Sequence, residues 1–269
     1  MPPVRPKAEP ALPEFFSALD RGRERSNNED AVAIDEGLAL AVLADGMGGY
    51  NAGEVASEMA TTRICTEFGD WLRSHGAQAT DAEVRRALDQ CVADTNRAIF
   101  DTARADPQYA GMGTTLVVAL LRENRLLVAH VGDSRAYRLR GGRLQQITRD
   151  HSLLQEQLDA GMISPADAAR SSRKNLVTRA VGVEPRVDLE AHLHEVHPGD
   201  LYLLCSDGLS DMLDSAEIAQ VLKMHDLLPE AGNALVDAAN DAGGRDNISL
   251  ILMRPAGGEV PRSWWRFSR

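Results

Sequence analysis

The stretch Leu40-Ala41-Val42-Leu43-Ala44-Asp45-Gly46-Met47-Gly48-Gly49 runs from unbroken apolar residues into a carboxylate that glycines follow. Its apolar part predicts a strand over 38–44, paired with a strand over 31–35 through a turn at Glu36-Gly37. Glycine after Asp45 frees the backbone to bend a carbonyl toward a cation. Alone, the stretch also fits a simple tight turn, so only other parts of the sequence can distinguish a cation ligand from a turn.

Three more aspartates sit beside glycine at the ends of apolar, strand-like runs. Asp133 follows 128–132, Asp207 follows 201–206, and Asp246 stands just before the last apolar run. A buried carboxylate without a partner is costly, so four such groups indicate a shared partner. Mg²⁺ and Mn²⁺ are hard cations that prefer oxygen ligands. Each aspartate alone also fits a turn or a helix cap, and for Asp133 alone that interpretation is favoured.

Arg25 provides a candidate phosphate ligand. It lies in the polar run 20–30, and a guanidinium presents a planar fork that fits two phosphate oxygens. A surface ion pair to Glu24 or Glu29 explains the same residue equally well, so both interpretations stay open.

Hydrophobic periodicity predicts the element order. Two long helices, 52–75 and Thr80 to about Arg104, are followed by strands at 114–121, 125–131, 136–140 and 143–147, read as an antiparallel meander. Glu83, three residues after Thr80, completes a capping box. Further predicted elements are a helical region at 151–170, strands at 187–193 and 200–205, helices at 209–213, 215–223 and 228–241, and a strand at 247–253. This order predicts an α+β layered sandwich of antiparallel sheets.

Composition narrows the class of protein. Asp plus Glu number 40 against 29 Lys plus Arg, a net charge of −11, so nucleic-acid phosphate would be repelled. No apolar run approaches the roughly 18 residues of a membrane span, and the first residues lack a signal peptide's apolar core. The three cysteines, Cys65, Cys91 and Cys205, match no metal or redox spacing. We expect buried free thiols and a cytoplasmic protein.

Three regions of the chain differ in character. Residues 1–13 carry five prolines and predict a disordered leader. Residues 14–254 predict one domain, and residues 255–269 form a short basic tail rich in aromatic residues. The tail pair Trp264-Trp265 could dock on a partner or a membrane surface, and a clasp onto its own domain fits equally well.

Nine short motifs, spread over roughly residues 14–253, resemble those of bacterial type 2C protein serine/threonine phosphatases of the PPM family. They occur in the family's order: Arg25-x-x-Asn28-Glu29-Asp30, Ala44-Asp45-Gly46-Met47-Gly48-Gly49, Gly53-Glu54-Val55-Ala56-Ser57, Gly111-Met112-Gly113-Thr114-Thr115, His130-Val131-Gly132-Asp133-Ser134-Arg135, Thr148-x-Asp150-His151-Ser152, Thr178-Arg179-Ala180-Val181-Gly182, Cys205-Ser206-Asp207-Gly208-Leu209 and Gly244-x-Asp246-Asn247. One motif alone is weak evidence, whereas nine in sequence are highly specific.

The resemblance implies a four-layer α-β-β-α sandwich, two antiparallel sheets flanked by helices, with two Mg²⁺ or Mn²⁺ ions in a cleft at one end. Asp45 would bridge both ions, and the Gly46 carbonyl would bind the first. Asp207 and Asp246 would complete the second.

Further roles follow from the same resemblance. Asp133, with Asp207, would contribute to a third, weaker metal site found in bacterial members. Asp30, and less directly Glu29, would hold metal-bound waters, and Arg25 would bind the substrate phosphate. The segment from about 150 to 180 corresponds to the family's variable flap.

The implied reaction is hydrolysis of phosphoserine and phosphothreonine in proteins by a metal-activated water, without a protein nucleophile. The expected partners are phosphorylated proteins and a cognate bacterial Ser/Thr kinase, and we expect a monomer. Two other functions stay open: a pseudophosphatase that binds phosphoproteins as a regulatory module, and a two-metal phosphoesterase acting on nucleotides or small molecules.

Tyr50 departs from the family pattern. Bacterial members usually have His directly after the Met-Gly-Gly run, and this chain has tyrosine. With an ordinary pKa of about 10, tyrosine donates a hydrogen bond but shuttles protons poorly near neutral pH. His151 is the alternative donor to the leaving group, although structural support of the flap is its favoured role.

The first prediction concerns Tyr50→His. Turnover should rise if the reaction lacks a proton donor, because imidazole, with a pKa of about 6.5, gives up a proton near neutral pH. Steady-state kinetics of both proteins would measure this. An unchanged rate would show that the position does not limit the reaction.

Overall fold

The computed structural model describes residues 12–49, 52–164, 167 and 176–256. Its strands are β1 (Glu14–Asp20), β2 (Asp30–Asp35), β3 (Leu40–Met47), β4 (Gly113–Thr114), β5 (Leu116–Arg122), β6 (Arg125–Val131), β7 (Arg135–Arg140), β8 (Arg143–Gln146), β9 (Glu190–Glu195), β10 (Leu201–Cys205) and β11 (Ile248–Arg254). Its helices are α1 (Ala52–Arg63), which continues through Ile64–Phe68, Gly69–Trp71 and Leu72–Gly76, then α2 (Asp81–Ala105), α3 (Leu153–Asp159), α4 (Asp207–Ser210), α5 (Ser215–Met224) and α6 (Leu228–Asp241).

The strands form two antiparallel sheets. One has five strands in the order β1-β11-β10-β7-β8, and the other has six, in the order β2-β3-β5-β6-β9 with β4 paired to β3. Helices α1 and α2 cover the six-stranded sheet, and α5 and α6 cover the five-stranded sheet. The predicted four-layer α-β-β-α sandwich is confirmed.

Strand β3 shows why its sequence is apolar at every position. Leu40, Val42 and Ala44 pack against the helices, while Ala41 and Leu43 pack against the opposite sheet. Since side chains alternate across a strand, a strand buried on both faces needs apolar residues throughout. The unbroken run therefore reflects a strand at the centre of the sandwich.

Helix α2 begins where its capping box places it. The Glu83 N–H donates to Thr80 Oγ1 at 3.3 Å, and the Thr80 N–H donates to Glu83 Oε2 at 2.8 Å. Val84, Leu88, Cys91 and Ile99 are buried, which is the apolar face that a helix predicted from hydrophobic periodicity should bury. Both predictions are confirmed.

The predicted four-strand meander over 114–147 is wrong. Strands β5 and β6 form one hairpin and β7 and β8 another, but β6 pairs next with β9 and β7 pairs with β10. The link through Gly132, whose φ is +101°, carries the chain from one sheet to the other. Turn residues indicate where a strand ends and do not specify which sheet receives the next strand, so the local pattern suggested one continuous sheet.

Several predicted boundaries shift. Strand β3 extends through Asp45 and Gly46 to Met47 because these residues pair with β2 and β4. The short helix predicted at 209–213 lies at Asp207–Ser210. All three cysteines are free thiols; Cys91 and Cys205 are buried, while Cys65 is only half-buried.

Some predictions lie outside the described residues. Residues 1–11, the tail from 257 onward, and most of 165–175 in the flap belong to this group. The domain boundaries proposed from the sequence therefore stay predictions. Among the helices that are described, none combines the length and apolar character that crossing a membrane requires.

Candidate metal centre

The aspartates predicted from the sequence meet in one cleft. Its volume is about 240 Å³, and its lining includes Arg25, Asp45, Asp133, Asp207 and Asp246. The Gly46 backbone also lines it. Asp30 lies behind this surface, directly opposite Asp45 in the β2–β3 register. Residues more than 200 positions apart thus converge at one end of the sandwich.

Both backbone polar groups of Asp45 are held by Thr114 and Thr115. Its N–H donates to Thr115 Oγ1 at 3.0 Å. Its carbonyl accepts the Thr115 N–H at 2.8 Å and the Thr114 hydroxyl at 2.9 Å. Asp45 was predicted just past a strand end and instead lies within β3, so the sheet itself fixes the position of its side chain.

Gly46 is required by packing. A Cβ at this position would lie 2.1 Å from the carbonyl oxygen of Gly53 and 2.6 Å from that of Glu29. The first turn of α1 therefore approaches β3 so closely that no side chain fits between them. The sequence indicates only backbone freedom at this glycine, whereas the structure shows a close approach between two backbones.

Asp133 and Asp207 reach the cleft from opposite sheets. Asp133 lies in the link that leaves β6, and it is buried. Asp207 is the first residue of α4, two residues after the end of β10. Asp246 comes just before β11, and its Oδ1 accepts the Asn247 N–H at 2.8 Å.

Arg25 contacts the cluster directly. Its Nη2 donates to Asp246 Oδ2 at 2.6 Å, and its side chain is 48% exposed. Of the ion pairs considered for Arg25, the alternative with Glu24 or Glu29 is not the one formed, and a candidate metal ligand takes that place. Arg25 stands at the rim, where solvent and a phosphate group can reach it.

Asn247 is a residue whose role the sequence analysis missed. Its Oδ1 accepts the Glu29 N–H at 2.8 Å, and its Nδ2 donates to the carbonyls of Asn27 and Arg21 at 2.8 and 3.0 Å. One amide therefore ties the Arg25 loop to the start of β11. Its position next to Asp246 was the signal available in the sequence.

Asp30 has the environment of a carboxylate that a nearby cation would stabilise. Within the described residues, neither of its carboxylate oxygens accepts a hydrogen bond of normal geometry. Burial raises the pKa of Asp30 to about 7, an effect that the nearby hydroxyls of Ser249 and Ser206 oppose and that repulsion from Asp246 reinforces. Such a group is costly to keep ionised unless positive charge lies nearby.

The pKa values of Asp45, Asp207 and Asp133 are raised as well. Burial raises the pKa of Asp45 well above its ordinary value, and repulsion from Asp30 and Asp207 adds to the rise. Burial and repulsion from Asp133 do the same to the pKa of Asp207. For Asp133, burial raises the pKa to about 6.

Divalent cations fit this donor set. Carboxylate oxygens and a backbone carbonyl are the ligands that Mg²⁺ and Mn²⁺ prefer, and bound cations reverse the repulsion that raises these pKa values. The fit rests on the chemistry of the side chains and on the buried oxygens of Asp30. The individual ligand roles stay predictions.

His151 lies outside this cleft. Its Nδ1 accepts the Gly132 N–H at 3.1 Å, so in the neutral ring Nε2 carries the proton and faces Glu190 Oε2 at 3.3 Å. Its backbone N–H donates to the Gly132 carbonyl, and its carbonyl accepts the Thr178 N–H. These bonds occupy both ring nitrogens and favour the predicted structural support of the flap.

The same hydrogen bonds argue against a histidine metal site. His130, His151 and Glu190 place ligand atoms within 4.8 Å of one another. Because the only lone pair of a neutral His151 ring accepts the Gly132 N–H, none is left for a cation. Tyr50, the other candidate proton donor, lies outside the described residues.

Comparison with known proteins gives consistent results. The family described as Protein phosphatase 2C matches residues 21–238. The serine/threonine phosphatase stp of Listeria innocua is 39% identical over 237 residues, which cover 87% of this chain and 92% of that protein.

Two solved structures of serine/threonine phosphatases are also similar to this chain. The Mycobacterium tuberculosis serine/threonine phosphatase PstP/Ppp superposes with a TM-score of 0.83 at 35% identity, covering 91% of this chain and 100% of that one. The catalytic domain of the phosphatase PstP in complex with two manganese ions has a TM-score of 0.78 at 36% identity, covering 91% and 99%.

The raised carboxyl pKa values predict how stability depends on pH. A carboxyl group with a higher pKa in the folded state keeps the folded protein more protonated, so stability falls as pH rises between the unfolded and folded pKa values. For Asp30 that window runs from 3.8 to about 7. In chelator-treated protein, Asp30→Asn should therefore become more stable than wild type as pH rises, by at most about 1.4 kcal/mol per pH unit.

Urea unfolding between about pH 5 and pH 8 would measure this difference. Excess Mn²⁺ should reverse its sign, because cation binding stabilises the folded wild type. Asp237→Asn, a change of the same chemistry at an exposed position, is the control and should show no pH-dependent difference. A difference for Asp30→Asn that does not vary with pH would contradict the prediction.

Proposed function

This chain belongs to the protein phosphatase 2C family, and from that premise we propose how its cleft carries out the family's reaction. The protein is a metal-dependent protein serine/threonine phosphatase. In the proposed site Asp45, as the central ligand, would hold two Mg²⁺ or Mn²⁺ ions together with the Gly46 carbonyl, Asp207 and Asp246.

One observation carries this proposal. Buried and half-buried carboxylates from four separate segments converge on one cleft, and Arg25 is the one arginine in its described lining. Carboxylates in such numbers repel an anionic substrate, so phosphate can enter only when cations offset their charge. The arrangement therefore requires the metals for substrate binding as well as for chemistry.

When bound, divalent cations activate a water for in-line attack on phosphorus and neutralise charge on the transferring group. The residues of the chain fix the geometry for that step. The sheet holds Asp45 through both of its backbone polar groups, and Asn247 holds the Arg25 loop in place. Neither group must reorganise when the substrate arrives, which is the condition for effective electrostatic stabilisation.

Arg25 binds the phosphate in this proposal. A guanidinium has five N–H donors, and one nitrogen already bonds to Asp246 at 2.6 Å. This bond aims the side chain across the mouth of the cleft. The remaining N–H groups can donate to two phosphate oxygens as a fork.

The leaving alkoxide needs a proton. The cleft lining in the described part of the chain includes no histidine, and the ring nitrogens of His151 are engaged elsewhere. The proton donor is therefore Tyr50 or solvent in this proposal, and the comparison with Tyr50→His distinguishes these two candidates.

We extend the proposal to the setting of the enzyme. Its substrates are phosphoproteins made by a cognate Ser/Thr kinase, and it works in the cytoplasm as a monomer, where its free thiols agree with a reducing compartment. Asp133 with Asp207 would provide the third, weaker metal site. Asp30 would hold a metal-bound water.

The activity is tested with Mn²⁺ on a phosphothreonine peptide and on p-nitrophenyl phosphate. Asp45→Asn should lower kcat/KM by about 100-fold or more, because bound metals supply several kcal/mol and each 1.36 kcal/mol is tenfold in rate. Asp237→Asn, at an exposed position outside the cleft lining, is the matched control.

The outcomes separate the alternatives. Phosphopeptide binding without metal-dependent release would indicate a pseudophosphatase, and release from the small ester alone would indicate a small-molecule phosphoesterase. Full activity in Asp45→Asn would overturn the site assignment.

Arg25→Ala separates phosphate binding from metal binding. Loss of a charge-assisted bond worth about 1.5–3 kcal/mol should lower kcat/KM by roughly 10- to 150-fold. Mn²⁺ affinity, measured by calorimetry, should hold or improve because a positive charge leaves the cluster. Arg25→Lys keeps the charge without the fork and should recover only part of the activity. Weaker Mn²⁺ binding in Arg25→Ala would contradict the assigned role.

A further inference from the structure

A groove of about 470 Å³ lies far from the metal cleft, between the continuation of α1 and the first half of α2. Its lining includes Phe68 and Trp71 from one side and Ala87 and Cys91 from the other. Phe68 and Cys91 are buried, while Trp71 and Ala87 are half-buried. An apolar floor thus stays open to solvent between two helices.

Trp71 gives this floor its character. Its ring stacks between Phe68, at 6.3 Å, and His75, at 5.3 Å. These contacts hold the indole in one orientation at the groove. A rigid aromatic surface of this kind suits an apolar or aromatic partner.

The rim of the groove is acidic. Glu67, Glu83 and Asp94 lie on it, with Arg86 as the one cation in the described lining. All four are exposed, and together they give the groove a net charge of about −2. The complementary partner is basic and aromatic.

The chain carries such a segment outside the described residues. Residues 261–269 read Pro-Arg-Ser-Trp-Trp-Arg-Phe-Ser-Arg, with three arginines and no acidic residue. Trp264 and Trp265 are two of the chain's three tryptophans, and the third is Trp71 in the groove.

The segment leaves the sandwich at the end where the groove lies. Strands β11 and β5 both start at the cleft, beside Asp246 and Thr115, and run away from it for seven residues. At the far end β5 stops at Arg122, which pairs with Asp81 at the start of α2. The tail follows β11 at that same end, where α2 begins.

The chain is long enough to reach. From Arg254 to Trp264 an extended chain spans about 33–36 Å. The path crosses one sheet-to-sheet spacing of about 10 Å and one helix layer of about 10 Å.

We propose that residues 261–269 dock in the groove between α1 and α2 of their own chain. Trp264 and Trp265 lie on the apolar floor beside Trp71, and the arginines face Glu67 and Asp94. The tail then clasps the outer helical layer to the end of β11, away from the cleft.

The test uses the full chain with p-benzoylphenylalanine replacing Trp265. After irradiation, cross-links should map to 64–71 and 87–94 in protein of monomer mass. Glu67→Lys with Asp94→Lys should lower the cross-link yield by about fivefold, since exposed ion pairs each contribute a factor of a few. Glu58→Lys with Asp101→Lys makes the same charge change on the same helices outside the groove and should leave the yield unchanged.

A reciprocal change guards against a folding defect in the groove variant. Arg266→Glu with Arg269→Glu alters only the tail and should also lower the yield, and combining it with the Lys pair should restore cross-linking. Cross-links at dimer mass would assign the groove to a second copy and overturn the proposal. Cross-links to other surfaces, or a yield insensitive to both charge reversals, would also overturn it.

Discussion

Repulsion among buried carboxylates is the constraint on which the functional end of this molecule depends. Burial and mutual proximity raise the pKa of Asp45 and Asp207 well above normal, so an ionised cluster works against folding. The free energy that offsets this cost comes from three apolar cores among the described residues, one between the sheets and one under each helical layer. Divalent cations offset this repulsion, so the same clustered carboxylates favour cation binding.

The backbone around the cleft is arranged to keep that cluster together. Asp30 and Asp45 face each other across a strand pair, so neither can move away without breaking the sheet. Gly46 and Gly53 allow α1 to press against β3 with no side chain between them. Asn247 joins the loop before β2 to the strand that follows Asp246. Rigid elements rather than loops thus hold most of the proposed ligands, as a preorganised site requires.

Sequence patterns were sufficient wherever a short-range rule applied. The capping box at Thr80, the apolar stripe of α2 and the doubly buried β3 all follow from residues a few positions apart. They were insufficient for pairing between distant segments. The meander was wrong because the turn at Gly132 looks the same locally whether the next strand joins its own sheet or the other one. For Arg25 the sequence offers only neighbouring glutamates as ion-pair partners, because Asp246 is 221 positions away.

The sequence by itself determined which chemical groups this protein carries: four aspartates beside glycine, an arginine, and apolar runs that require strands buried on both faces within a sandwich. These follow from residue type and spacing, and the ordered motifs added the family. The tertiary structure alone decided which carboxylates share a cleft, that Arg25 pairs with Asp246, and that the Asn247 amide ties the site together. The physical reason is that the residue order fixes which chemical groups the chain carries, whereas the distances between those groups depend on how the two sheets stack. Stacking in turn depends on burying all the faces of the two sheets together.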